Sequence, residues 1–151
     1  MSKSAMLAFL MAIGVWSVGG AAHAHDVNVT LRGAEPRPGH ILATLQTRMQ
    51  FMQGRGDYSA RLDPPAHAGA MTFTFHDVAP GEYVLSVMHD QDDDHQMKKS
   101  ATGVPQEGWA FSNGGSLAGP PSFDALKFAV GASDVNITTE MFYPYVPAPG
   151  Q

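Results

Sequence analysis

Apolar and polar residues alternate along much of this chain, and the alternation has a period of two. Val27, Val29 and Leu31 interleave with Asn28, Thr30 and Arg32, the signature of a strand with one buried and one wetted face. The same reading predicts strands over His40 to Thr47, Tyr58 to Leu62 and Ala70 to His76, where Met71, Phe73 and Phe75 share a face. Glu82 to Asp90 places Tyr83, Leu85 and Val87 on one side and Val84 and Met88 on the other, so it reads as a central strand covered on both faces. Leu126, Phe128 and Val130, then Val135, Ile137, Thr139 and Met141, supply the last two.

Turn signals separate these stretches: Gly33 to Gly39, Asp63-Pro64-Pro65, Ala79-Pro80-Gly81, and Gly131 to Asp134, which reads as a hairpin loop. No segment keeps apolar residues at helical spacing for three turns, and eleven prolines and sixteen glycines punctuate the chain. The expectation is an all-β fold, a seven-stranded two-sheet sandwich with one long loop between strands five and six. That loop, from Met88 to Phe123, gathers acids, imidazoles and aromatics, and functional sites favour such connections.

The ends read differently from the middle. Lys3, the apolar run Ala5 to Val18 and Ala22-His23-Ala24 have the order of an export signal, so residues 1–24 are expected to be removed and the mature chain to begin at His25. Cleavage after Ala22 would start it at His23 instead. The apolar run is too short to span a bilayer, so no transmembrane segment is expected after cleavage. Residues 25–142 form the expected domain, and 143–151 a Pro-rich tail. Export implies a periplasmic or secreted location.

Composition narrows the partners. Without Lys3 the chain holds eight Lys plus Arg against fourteen Asp plus Glu, a formal charge of −6. Such a surface repels phosphate, which argues against nucleic acid and against anionic lipid. Cysteine is absent, which excludes thiol nucleophiles, Cys-ligated zinc and redox disulfides. A domain of roughly 130 residues can hold by core burial alone.

Four motifs follow one another in order: Phe75 to Tyr83 (FHDVAPGEY), Met88-His89-Asp90, Gly103 to Asn113 (GVPQEGWAFSN) and Gly119 to Phe123 (GPPSF). In these the chain resembles the bacterial domain of unknown function 2141 family of small exported proteins, over nearly the whole mature length. The resemblance implies a transthyretin-like or immunoglobulin-like sandwich and no established activity. Members usually continue from His-Asp into an Asn- and Gly-rich stretch ending Lys-Leu-Asp. This chain departs there, with Gln91 to Lys98 reading QDDDHQMK.

Asp90, Asp92 and Asp94 fall at positions one, three and five of a calcium-loop spacing, where carboxylates converge on a hard cation. Position six, which needs a sharp turn, is His95, and position twelve, which needs a bidentate acid, is Ala101. The alternative is a solvated acidic loop. Copper is the other metal candidate, through imidazoles: His89 and His95 flank the acid run, His76 ends the neighbouring strand, and an N-terminal His25 could join His89, or a flexible His23-Ala24-His25 tail could bind it instead. Met49 and Met52 could add soft sulfur, although core filling is the commoner use of methionine.

Catalysis finds little support. His76-Asp77 and His89-Asp90 are sequence neighbours whose side chains point to opposite faces of a strand, and Ser112 and Ser122 lack a nucleophile elbow. The transthyretin-like fold also hosts a hydrolase, but its terminal Tyr-Arg-Gly-Ser is replaced by Ala148-Pro149-Gly150-Gln151. The expectation is therefore a non-enzymatic binding or adhesion-type module of the cell envelope. Its contact set is Glu107, Trp109, Phe111 and Asn113, and its partner is an envelope protein, peptide or glycan. A metal-binding protein, through calcium or copper, is the alternative. Trp109, Phe111 and Phe123 carry a second reading as a packed cluster pinning the loop to the sheet.

Overall fold

A computed structural model describes residues 23–116 and 119–144. Residues 1–22 of the expected leader and 145–151 of the expected tail lie outside the described residues. Within them the chain is nearly all β. The strands are β1 (His25–Ala34), β2 (His40–Gln46), β3 (Tyr58–Leu62), β4 (Gly69–Val78), β5 (Gly81–Asp90), β6 (Gly108–Phe111), β7 (Phe128–Val130) and β8 (Val135–Glu140). Helix is confined to one 3₁₀ turn, Gly114–Ser116, and one α turn, α1 (Phe123–Leu126).

Two sheets result. One has the order β4-β1-β8, with β8 parallel to β1; the other runs β3-β2-β5-β6, with β7 also paired to β5. Alternation explains what they bury. Val27, Val29 and Leu31 of β1, Ile41, Ala43 and Leu45 of β2, and Tyr83, Leu85 and Val87 of β5 form one contiguous core drawn from both sheets. The alternate residue Val84 joins Phe111, Phe123 and Leu126 in a second cluster, against which Phe51 and Trp109 pack. Strand β5 is thus covered on both faces, as its double apolar pattern predicts.

Three expectations are corrected. The described residues hold eight strands rather than seven, because Gly108–Phe111 pairs with β5 inside the long connection. Leu126 is not a strand residue: it closes α1, whose first turn is capped by the Ser122 hydroxyl accepting the Ala125 N–H at 3.4 Å. Phe123 and Leu126, three apart, then bury together on one side of the turn. Nor do Gly131 to Asp134 close a hairpin. They carry the chain from β7 in one sheet to β8 in the other, which is possible because the apolar strand ends Val130 and Val135 can each face a shared core.

Candidate functional site

Pairing brings the loop acids together. Strands β5 and β6 run antiparallel with His89 opposite Gly108, so one step further sets Asp90 against Glu107. Like charges across a sheet repel, and both carboxylates are buried, Asp90 at 0% and Glu107 at 2% exposure. Backbone donors offset part of that cost. Asp90 accepts the N–H groups of Asp94 (3.2 Å) and His95 (2.9 Å), and Glu107 accepts those of Gln91 (2.8 Å) and Lys98 (2.9 Å). Four charge-assisted bonds therefore staple the loop that sequence alone leaves open to a reading as solvated charge.

Asp92 completes the group. One ligand oxygen each from Asp90, Asp92 and Glu107 lies within 4.8 Å of the others, a spacing a single cation can bridge. Among the described residues no Lys or Arg nitrogen pairs with Asp90 or Glu107; the nearest partner is His95, 3.8 Å from Asp90. Lys98 reaches only Asp92, at 3.4 Å. A cleft of about 360 Å³ opens beside the acids, lined by Arg37, Gln91, Asp92, Lys98, Gln106 and Glu107. The three carboxylates are hard oxygen donors, suited to calcium and poorly suited to copper.

Two details of the sequence reading change. His95, the residue at position six, has φ +62°, so it makes the sharp turn that glycine usually makes there. Ala101, at position twelve, offers no carboxylate; the third acid beside Asp90 and Asp92 is Glu107, delivered by β6. Asp94 stays outside the group and instead accepts the Gln96 N–H at 2.7 Å. The loop tip is tied back to the other strands by Asp93, whose carboxyl is held below the usual carboxylate range by His40, 2.6 Å away.

His89 lies beneath the acids and is fully buried. The Pro38 carbonyl can only accept, so Nε2–H donates to it (3.1 Å), and Nδ1 accepts from the Tyr143 hydroxyl (2.7 Å). Burial holds the imidazole neutral by pushing its pKa down. Unfolding would let the ring take up a proton below about 6.5, while the folded ring stays neutral to lower pH. The unfolded state then binds more protons, so stability is full above about 6.5 and falls as pH drops through that window. We expect His89→Gln to flatten the acid limb of a melting-temperature profile below about pH 6.5. An unchanged slope would refute this role.

A family model described as an uncharacterized protein conserved in bacteria (DUF2141) matches residues 29–138. The chain belongs to that family. No curated protein and no solved structure matches it. The match spans both buried acids of this DUF2141 chain, all of β6 and most of both sheets.

In this DUF2141 protein the copper pair is not brought together. His25 lies on β1 in the three-stranded sheet, where it pairs with Asp134 at 3.4 Å, and His89 lies on β5 in the other sheet. His89 shares Tyr143 with Glu35, beyond the far end of β1. The ten residues of β1 set His25 about 30 Å from that end. Met49 and Met52 are not core filler either, being 84% and 58% exposed.

The contact set divides. Phe111 is buried in the second cluster, and Asn113 donates to the Lys127 carbonyl at 3.0 Å, holding the turn after β6 to the end of α1. Trp109 is half-buried, its ring 5.2 Å from that of Phe142, which is 54% exposed. Sequence reasoning missed Tyr143 and Phe142, both assigned to or beside the tail. The alternation ending at Met141 gave no sign that Phe142 and Trp109 exchange backbone bonds at 2.8 and 2.9 Å.

Proposed function

We propose that this chain is a non-enzymatic, exported β-sandwich module of the bacterial cell envelope that takes a hard divalent cation of the calcium class at Asp90, Asp92 and Glu107. The observation that carries the reading is the pair of buried carboxylates with a third acid in reach and, among the described residues, no Lys or Arg nitrogen in an ion pair with the buried two. Backbone N–H groups solvate such charges incompletely, and a bound cation would offset what remains. Three carboxylates converging on one point suit holding a cation, so the role proposed is binding. A transthyretin-like or immunoglobulin-like arrangement is the form of sandwich that fits the two sheets and their common core. The partner, an envelope protein, peptide or glycan, would meet the aromatic side of β6, where Trp109 and Phe142 stack.

Calorimetric titration of the purified mature protein with calcium, magnesium, zinc and copper tests the proposal. Calcium is expected to bind with a dissociation constant of about 10⁻⁴ to 10⁻³ M, the range of extracellular modules. Asp92→Asn should weaken it at least tenfold while leaving the circular dichroism spectrum unchanged, because the Asp92 carboxylate accepts none of the four stapling bonds. No calcium signal at several times that concentration would refute the site. Copper binding that survives Asp92→Asn and is lost on altering the N-terminus would move the metal to His23 and His25.

A further inference from the structure

The side of the fold opposite β6 is open. Strand β4 pairs only with β1, and β3 only with β2, among the described residues. Both strands therefore present a row of backbone N–H and C=O groups without ladder partners. Along the same side the core is incompletely covered: Tyr58, Ala60 and Leu62 of β3 and Met71 and Phe73 of β4 pack on it yet stay half-buried. A cleft of about 450 Å³ separates the two edges, with Tyr58, Ala60, Thr74 and Phe75 among its lining residues.

Proteins commonly blunt such an edge with lysine, proline or an outward bulge. Strand β4 carries no lysine and no proline over Gly69 to Phe75, which reads Gly-Ala-Met-Thr-Phe-Thr-Phe, and its register with β1 is broken only at the ends, between Gly69 and Met71 and between Phe75 and Val78. Its exposed face offers Thr72 and half-buried Thr74; its inward face offers Met71, Phe73 and Phe75. The strand is self-complementary about Phe73. Run antiparallel against a copy of itself, Thr72 meets Thr74, Met71 meets Phe75 and Phe73 meets Phe73, while Asp77, at φ +54° past the register break after Phe75, lies outside this run. No like charges face each other, and the apolar row continues across the seam.

We propose that β4 pairs edge to edge with β4 of a second copy, joining two three-stranded sheets into a six-stranded sheet about a two-fold axis. This goes beyond the cation reading and does not depend on it. The seam is one strand wide, so the dimer is modest in area and its dissociation constant falls in the micromolar range.

Light scattering behind size exclusion, over micromolar to high micromolar loading, should show the mass doubling as concentration rises. A Thr72→Lys/Thr74→Lys variant is expected to remain at the monomer mass, as is Thr72→Glu/Thr74→Glu. Mixed at low ionic strength, the two should recover the doubled mass, because lysine then faces glutamate in any register. Wild type that stays monomeric at the highest loading overturns the proposal, and so does a dimer that persists in the lysine variant. Should the variants fail to fold, hydrogen exchange on the wild type decides. Amides of Gly69 to Phe75 must gain protection as concentration rises, and unchanged exchange there overturns the pairing.

Discussion

Glu107→Ala is expected to destabilise the fold by about 2–4 kcal/mol in urea denaturation, because it strands two backbone donors. The Gln91 and Lys98 N–H groups lose their acceptor together, and the segment between them loses one of its two staples. Asp90 then faces an empty position across the strand pair. Glu107→Gln separates charge from hydrogen bonding. Its amide oxygen can still accept one of the two bonds, so it should lose less stability than alanine, while the missing negative charge should weaken calcium at least as strongly as Asp92→Asn does. Alanine within about 0.5 kcal/mol of wild type would show that the loop holds without Glu107.

The second large effect lies across the same loop, at Gly39. Its φ of +85° disfavours any side chain, and an added Cβ would sit 1.9 Å from the Asp90 carbonyl oxygen and 2.6 Å from the Gln91 Cα. Both are backbone atoms at the point where β5 gives way to the acidic loop, so relief requires β2 and β5 to part at His40 and Asp90. We expect Gly39→Ala to cost about 4 kcal/mol or more, the sum of left-handed strain and steric overlap, or to prevent folding. Gly103→Ala is the matched control. Its φ is +82° with nothing within 4 Å of the added atom, so it should cost only the conformational part, about 1–2 kcal/mol. Equal melting temperatures for the two variants would remove the close approach as a determinant.

Particular residues show why part of this molecule was legible in sequence and part was not. Val27-Val29-Leu31 and Tyr83-Leu85-Val87 announce their faces because alternation is a local property, and the structure buries them as that parity requires. The strand Gly-Trp-Ala-Phe at 108–111 is four residues long, with its two aromatics separated by one alanine and preceded by a glycine, so no period stands out from the loop around it. The single turn of α1 is too short to establish helical spacing. Whether Gly131 to Asp134 closes a hairpin or crosses between sheets depends on where β1 and β5 lie, which no neighbouring residue encodes. The site divides the same way: Asp90 and Asp92 follow from spacing, whereas Glu107 joins them only through the β5–β6 register.

The parallel pairing of β1 with β8 carries a consequence for how the molecule comes into being. The first strand lies between the fourth and the last, and Val27 to Arg32 match Val135 to Glu140 residue for residue across more than a hundred positions of chain. Loop closure on that scale is slow and is not rewarded until both strands exist. The three-stranded sheet therefore cannot be completed before Glu140 has been synthesised, although β1 and β4 can pair before then. Strand β8, although it lies beside the first strand, is therefore the last of the described strands able to dock.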